Sequence, residues 1–377
     1  MAGIYINIPF CKQACHYCDF HFSTSLKLKT ELVDSIRKEL ELRKDYLQNQ
    51  QVETIYFGGG TPSLLNREEL QSILDKVYEL FPVIENPEIT LEANPDDLTE
   101  EKLKELEALP INRLSIGIQS FRKEDLEMMN RAHNLEQALN CVPAARSHGF
   151  DNISIDLIYG IPGLTNAEWK ANLEQAFALN PDHISSYCLT IEPGTAFAHF
   201  VKKGKLNPVD EETAASQFDI MVKAMKENGF DHYEVSNFGK PGFYSKHNTS
   251  YWLGKHYLGV GPSAHSFDAK SRSWNVANNS RYIKALEKNE LPIETEELAL
   301  QTQYNEYIMT SLRTIWGVSV EKIREEFKVD FEAKFETELK RFENEGWIEK
   351  EGDTWKVTEE GMLMADGIAA EFFIIES

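Results

Sequence analysis

The chain has 377 residues, of which 42% are hydrophobic and 27% charged, a composition typical of a globular protein of two or three domains. Its net charge of −22 disfavours nucleic-acid binding, and its five cysteines are too few for a disulfide scaffold. No run approaches the roughly 20 apolar residues of a membrane span, and the N-terminus lacks the pattern of a signal peptide. We therefore expect a cytoplasmic protein that is not integral to a membrane.

Up to residue 235, short segments rich in β-branched residues alternate with longer amphipathic segments. The predicted strands are Ile4–Ile8, Thr54–Phe57, Ile89–Glu92, Arg113–Ile118, Asn152–Leu157 and His183–Leu189. The predicted helices are Leu32–Leu47, Arg67–Leu80, Glu100–Leu109, Leu135–Ser147, Ala167–Leu179 and Glu211–Asn228, with Thr99 and Asn166 as two N-caps. This alternation predicts an α/β fold with a parallel sheet and helices outside it. Because six βα units are too few for a closed eight-stranded barrel, we expect an open, partial barrel.

The rest of the chain changes character twice. Gly, Ser, Asn and aromatic residues dominate 236–290, where helical periodicity is weak. Further on, the predicted helices Tyr304–Arg313, Val320–Phe327 and Phe331–Glu345 lead into a hairpin at Gly352-Asp353, a pattern typical of a winged-helix-like α+β module. Its acidic composition favours a packing or partner-docking role over DNA binding. The predicted units are 1–235, a connecting region at 236–300, and a C-terminal module at 301–377.

Three cysteines form the motif Cys11-x3-Cys15-x2-Cys18 directly after the first predicted strand. Barrel enzymes carry out their chemistry at this end of their strands. Three thiolates can hold three irons of a 4Fe–4S cluster and leave the fourth iron open to a small chelating molecule. The alternative is a structural zinc ion, for which His16 or His21 would complete a Cys3His set.

Polar residues and glycines end the next four predicted strands. Gly58-Gly59-Gly60-Thr61-Pro62 follows the second strand, where a backbone without side chains can approach a ligand closely. Glu92, Gln119 and Asp156 end the third, fourth and fifth strands, and Arg131 follows in a loop where it could neutralise a carboxylate. Each feature alone is more often a turn, a cap or a surface charge. Together, beside the cysteine motif, they predict a ligand site at one rim of the barrel.

The cysteine motif and the Gly-Gly-Thr-Pro turn resemble those of the radical S-adenosylmethionine (SAM) superfamily. The longer string from Tyr5 to Cys11, Tyr-Ile-Asn-Ile-Pro-Phe-Cys, resembles the branch that contains oxygen-independent coproporphyrinogen III oxidases and HemW-type heme chaperones. This resemblance covers nearly the whole chain and implies a partial (β/α)6 TIM-like barrel with the cluster at its mouth and SAM on the open iron. By motif match, the implied SAM-contacting residues are Tyr5, Gly60, Thr61, Glu92, Gln119, Arg131 and Asp156, with Tyr17 as the aromatic residue inside the cysteine motif.

Three features favour the heme chaperones over the oxidases within that branch. The oxidases carry a long segment before the tyrosine of the first strand, whereas four residues precede Tyr5 here. Their motif also continues to a further cysteine, where this chain has Asp19-Phe20. Finally, His247-Asn248-Thr249-Ser250-Tyr251-Trp252 matches the HNxxYW motif of the HemW type. An imidazole can ligate heme iron, and Tyr and Trp rings can cover an apolar macrocycle. His256 and His265 are competing ligands.

The resemblance therefore predicts a heme chaperone that binds a 4Fe–4S cluster, SAM and heme and transfers the heme to apo-hemoprotein acceptors. The heme candidates are His247, Asn248, Tyr251 and Trp252, and no catalytic residue is assigned. One alternative is a radical SAM oxidase that oxidatively decarboxylates coproporphyrinogen III to protoporphyrinogen IX. The other is a zinc-stabilised interaction protein without radical chemistry. Aromatic residues in 243–258 suggest dimer or peripheral membrane contact, and Cys141 and Cys188 are expected to be buried hydrophobic residues.

Overall fold

A computed structural model describes residues 1–327 and 329–375. Its centre is a curved sheet of six parallel strands in sequential order. These strands are β1 (Ala2–Ile8), β2 (Val52–Gly59), β3 (Val83–Ala93), β4 (Arg113–Gln119), β5 (Ile153–Tyr159) and β6 (His183–Cys188). Because they remain in sequential order and do not close on themselves, the predicted open, partial barrel is confirmed.

Helices follow the strands and cover the outer face of the sheet. They are α1 (Lys29–Leu42), α2 (Arg67–Leu80), α3 (Glu100–Glu107), α4 (Lys123–Met128), α5 (Leu135–Ser147), α6 (Asn166–Ala178), α7 (Ala196–Lys202) and α8 (Glu211–Glu227). In α1, for example, Leu32, Ile36 and Leu40 recur at helical spacing and are fully buried. The apolar core of this part of the protein lies between these helices and the sheet.

The two predicted N-caps have different outcomes. Thr99 caps α3, accepting a hydrogen bond from Lys102 N at 3.3 Å, as predicted. The prediction of Asn166 is wrong, because the cap of α6 is Thr165, one residue earlier. Thr165 and Glu168 form a reciprocal capping box, which satisfies two otherwise unpaired backbone N–H groups.

Residues 231–297, most of which belong to the region predicted as a connection, continue the central sheet on both sides. β7 (Asp231–Glu234) and β8 (Asn237–Gly239) extend it beyond β6. α9 (Lys246–Trp252) then precedes β9 (Tyr257–Val260), which pairs parallel with β1. The antiparallel strands β10 (His265–Phe267), β11 (Ser271–Asn275) and β12 (Ile293–Glu297) follow, with α10 (Asn279–Glu287) between the last two. These strands have only three to five residues, which is why their periodicity is weak in the sequence.

A buried carboxylate fixes this extension to the barrel. Glu39 of α1 is fully buried and accepts hydrogen bonds from Gly261 N at 2.9 Å, Asn275 Nδ2 at 2.8 Å and Tyr282 OH at 2.6 Å. Its charge is paired with the buried guanidinium of Arg43 at 3.3 Å. Since the three neutral donors come from the segment after β9, α1 determines where that segment lies.

The C-terminal module has the predicted combination of helices and a small hairpin. Its helices are α11 (Leu300–Leu312), α12 (Val320–Glu326), α13 (Val329–Asn344) and α14 (Ala365–Glu371). Its antiparallel strands are β13 (Val318–Ser319), β14 (Ile348–Glu351) and β15 (Thr354–Val357), with β15 in the middle. Lys328, Glu376 and Ser377 of the predicted module lie outside the described residues. Within the described ranges, no helix is both long and apolar enough to cross a membrane.

Candidate functional site

The cysteine loop begins at the carboxyl end of β1. Cys11, Cys15 and Cys18 are all partly exposed there. Backbone hydrogen bonds from Cys11 N to Ser23 O (3.1 Å) and from Ser23 N to Pro9 O (2.8 Å) close the loop. Burial raises the pKa of the Cys11 thiol to about 11, so binding a metal group here must release a proton.

The donor set fits a multi-iron cluster better than a single zinc ion. Among residues 1–327 and 329–375, no three Cys, His, Asp or Glu side chains lie close enough together to hold one metal ion. A zinc ion needs four ligands, and the two histidines that could supply the fourth are hydrogen bonded elsewhere. His16 Nδ1 is 2.8 Å from Met128 O, and His21 Nε2 is 2.7 Å from Asn279 Oδ1. The thiolates of a 4Fe–4S cluster bind different irons and need no common centre. The loop therefore suits the predicted cluster.

The glycine turn after β2 packs directly against the cysteine loop. Gly59 has a φ of +106°, a conformation that favours glycine. A Cβ atom at Gly60 would lie 2.6 Å from Phe10 O and 2.9 Å from Ile8 O. The next residue, Thr61, is buried and accepts a hydrogen bond from Asn94 Nδ2 at 3.2 Å. Glycine is thus required for the backbone to reach the residues that precede Cys11.

Two acidic side chains, one from β3 and one from β5, face the barrel interior. Glu92 accepts hydrogen bonds from Tyr56 OH at 2.9 Å and Gly59 N at 3.1 Å. Burial, together with the charge of Asp156, raises the pKa of Glu92 to about 7. Burial also raises the pKa of Asp156 to about 6. A cationic ligand group between them would restore both carboxylates to their charged form.

Arg131 links the cysteine loop to the ends of β3 and β4. Its guanidinium donates to Cys15 Sγ at 3.3 Å, Tyr17 OH at 3.2 Å, Asn94 Oδ1 at 2.6 Å and Gly117 O at 2.8 Å. Gln119, the last residue of β4, has a φ of +70°, a strained conformation for a residue with a side chain. Such strain is common where a binding site determines the direction of a side chain.

One cavity of about 960 Å³ joins these residues. All three cysteines and every residue predicted to contact SAM line its wall, namely Tyr5, Tyr17, Gly60, Thr61, Glu92, Gln119, Arg131 and Asp156. Tyr251, Tyr257, Ser263 and His265 form part of the same wall. The structure therefore brings together residues from the strand ends, the cysteine loop and the region after β8.

The HNxxYW motif forms α9, which packs against β1 and β2 next to this cavity. His247 is 1% exposed, and its ring lies 4.9 Å from that of Tyr56. Its Nδ1 is 2.7 Å from Thr54 Oγ1, and its Nε2 is 2.7 Å from Tyr251 OH. Burial and the charge of Arg113 lower the pKa of His247 to about 3, so the imidazole is neutral. Of the four heme candidates in this motif, Tyr251 is the one that reaches the cavity wall.

The other two candidates in the motif have different surroundings. Asn248 N donates to Ser245 Oγ at 3.3 Å, as part of the N-cap of α9. Trp252 faces the C-terminal module, with its ring 5.3 Å from the guanidinium carbon of Arg313. Neither residue lines the cavity within the described part of the chain. In this arrangement they fix α9 between the barrel and the module.

Sequence reasoning missed several residues of the cavity wall. Asn7, Asn94 and Ser115 lie two residues from predicted positions or at alternate positions of the same strands, so they share the inward face. That alternation is the signal that would have identified them. The expectation that both remaining cysteines are buried holds for Cys141 and is wrong for Cys188. Cys188 ends β6 and reaches the cavity wall.

Comparison with known proteins agrees with this geometry. Residues 5–176 match the radical SAM superfamily, and residues 298–364 match the HemN C-terminal domain. Coproporphyrinogen III oxidase (HemN) from Escherichia coli has a similar structure, with a TM-score of 0.85, 99% of this chain and 90% of that chain covered, and 22% identity. At this identity the similarity concerns the fold alone. Fold and motifs thus define a radical SAM protein, a class whose members hold a 4Fe–4S cluster and SAM.

Full-length relatives specify the family. The chain is 33% identical to the heme chaperone HemW of Bacillus subtilis, with 99% of both chains covered. It is also 33% identical to the heme chaperone HemW of Lactococcus lactis, covering 98% of this chain and 97% of that one. For the heme chaperone HemW of Escherichia coli, the identity is 30% with 99% and 98% covered. The chain belongs to the HemW heme chaperone family.

Proposed function

We propose that this protein is a heme chaperone that binds a 4Fe–4S cluster, SAM and heme and transfers the heme to apo-hemoproteins. The observation that carries the proposal is the set of residues that line the cavity of about 960 Å³. The three cysteines and the polar strand ends line it together with Tyr251, Tyr257 and His265. Small-molecule sites usually occupy about 300–1,000 Å³, so the cavity of about 960 Å³ is at the upper end of that range. The names of the full-length relatives support the same function.

The polar side of the cavity has the donors and acceptors that SAM requires. Cys11, Cys15 and Cys18 would hold three irons and leave the fourth for SAM. Glu92 and Asp156 would hold cationic groups of the ligand. The glycine turn would let the protein backbone approach the ligand closely. A bound 4Fe–4S cluster would supply electron-transfer chemistry toward the sulfonium of SAM. Tyr17 and Asn94 hold the guanidinium of Arg131 in place, so that it can meet a ligand carboxylate in a fixed orientation.

The proposed transfer takes place in the cytoplasm and requires contact with an acceptor protein. In segment 243–258, Leu253 is 43% exposed, whereas Tyr251 and Trp252 are partly buried. We propose that a second copy of the chain or a membrane surface contacts the protein near Leu253. The acidic C-terminal module is a further surface for a protein partner.

The test is an anaerobic heme titration followed by transfer. The reconstituted protein is titrated with heme while the Soret band is recorded, and an apo-hemoprotein is then added. We expect saturation near one heme per chain and movement of the heme to the acceptor. Cys15→Ser should abolish cluster binding and leave heme binding at least partly intact. The proposal is wrong if heme binding does not exceed that of a non-heme control protein.

A parallel assay distinguishes the oxidase alternative. The reconstituted protein is incubated anaerobically with SAM, a reductant and coproporphyrinogen III. We expect no protoporphyrinogen IX above the level given by Cys15→Ser. Product that depends on the cluster and on SAM would establish an oxidase instead of a carrier.

A further inference from the structure

Histidine positions in the cavity point to a specific heme ligand. The chain has ten histidines, and two of them, His21 and His265, line the cavity. Nε2 of His21 is 2.7 Å from Asn279 Oδ1. His265 is exposed, and within the described residues its ring contacts that of Trp274 and forms no hydrogen bond. Partial desolvation of the ring and the charge of Arg272 lower the pKa of His265, which favours the neutral imidazole with a lone pair for iron.

His247 of the HNxxYW motif is buried, whereas His265 is exposed. His247 lies beside Gly3 and Thr54 at the amino ends of β1 and β2, whereas the cysteine loop follows their carboxyl ends. The five steps from Gly3 to Ile8 span about 17 Å along the strand, so His247 lies well away from the cluster loop, which begins after Ile8. Both of its ring nitrogens are hydrogen bonded, and Tyr251 lies between it and the cavity. Ligation of heme iron by His247 would therefore require α9 to move away from β1 and β2.

Aromatic rings beside His265 form a surface suited to a flat macrocycle. In the register of the sheet, His265 is opposite Trp274, and Phe267 is opposite Tyr257. The rings of His265 and Trp274 are 6.0 Å apart at 28°, and those of Tyr257 and Phe267 are 6.1 Å apart at 30°. All four side chains are partly or fully exposed. A planar apolar ligand can stack on such rings while a neighbouring imidazole reaches its metal.

We propose that His265 is the protein ligand of the heme iron, with Tyr257, Phe267 and Trp274 supporting the macrocycle, and that His247 is a positioning residue that orients Tyr251. This inference rests on the heme-binding function proposed above. The bond forms by donation of an imidazole lone pair to the iron, with no change in oxidation state. Cys188 is the competing ligand in the cavity. Although this residue is exposed, desolvation of its sulfur by neighbouring groups raises the pKa of the thiol, and iron binds the thiolate.

The test compares ligand-specific spectra of four heme-loaded proteins: wild type, His265→Ala, His247→Ala and His199→Ala. His199 is exposed and lies outside the cavity, so its variant is the matched control. Electron paramagnetic resonance and the Soret band report the axial ligand, and circular dichroism verifies folding. Removing a residue that only hydrogen bonds to a metal ligand costs about 10–100-fold in metal affinity. Removing the ligand itself should cost at least as much, so His265→Ala should weaken heme binding by about tenfold or more. Added imidazole should restore its spectrum.

The outcomes separate this inference from the proposed function. We expect His247→Ala to retain the histidine-ligated spectrum, with weaker binding because Tyr251 loses its partner. If His265→Ala binds heme with an unchanged spectrum while His247→Ala loses the histidine signature, the ligand assignment is wrong and the chaperone function stands. A thiolate spectrum that disappears in Cys188→Ser would also refute the assignment. If the wild type binds no heme, the proposed function itself fails.

Discussion

Replacing Glu39 by glutamine should weaken the attachment of the sheet extension to the barrel. Glu39 is fully buried, accepts three neutral hydrogen bonds and neutralises Arg43. Removing one partner of a buried ion pair costs about 3–5 kcal/mol, because the other charge remains unpaired. The amide keeps one acceptor oxygen, so we expect a loss of about 3 kcal/mol in the free energy of unfolding. This is a large part of the roughly 5–15 kcal/mol that stabilises a typical domain.

Urea unfolding, followed by tryptophan fluorescence, measures this loss. With a slope of about 3 kcal/mol per molar urea, the midpoint of Glu39→Gln should fall by about 1 M. Glu41→Gln is the matched control, since Glu41 lies on the same helix and pairs with Lys38 at the surface. Tyr282→Phe removes a single donor and should cost about 1 kcal/mol. If Glu39→Gln and Glu41→Gln unfold at the same midpoint, the buried network around Glu39 does not stabilise the protein.

Three further predictions concern the cavity. Burial and Asp156 raise the pKa of Glu92 to about 7, so calorimetry should show SAM binding more tightly as pH rises through 7, and Glu92→Gln should remove this dependence. In the unliganded protein, the raised pKa of Glu92 contributes stability that is present at pH 4 and is lost as pH rises through 7. Thermal unfolding measured across this range should show a smaller loss in Glu92→Gln than in the wild type. Gly60→Ala would place a Cβ atom 2.6 Å from Phe10 O and should prevent iron loading, measured as iron and sulfide per chain. Gly367→Ala, with no atom within 4 Å of its Cβ position, should load normally.

Local sequence patterns predicted the barrel and many of the residues that line its cavity. The strands β1–β6 and their helices follow from periodicity, because each element has a buried face whose spacing is visible in the sequence. The cysteine motif, the glycine turn and the ends of β3 to β5 then had to converge, since parallel strands end at one rim. All of these residues line one cavity. This part of the site required no knowledge of long-range contacts beyond the order of the strands.

The region between residues 236 and 300 was not predictable in the same way. Its strands are short, and their positions depend on distant partners such as Glu39, which holds Gly261 and Asn275 from more than 200 positions away in the sequence. The motif around His247 identified the family, but the sequence could not show that His247 is buried and that Tyr251 reaches the cavity. Cys188 was wrongly expected to be buried, because its exposure depends on where β6 ends.

The sequence alone thus determined the fold class and the polar half of the cavity, since both depend on periodicity and on motifs within single segments. Tertiary structure decided that His265 lines the cavity and that His247 is buried beside it. The physical reason is that burial and hydrogen bonding of an imidazole depend on the side chains that surround it in three dimensions. For His247 and His265, those neighbours come from different strands and helices of the folded chain.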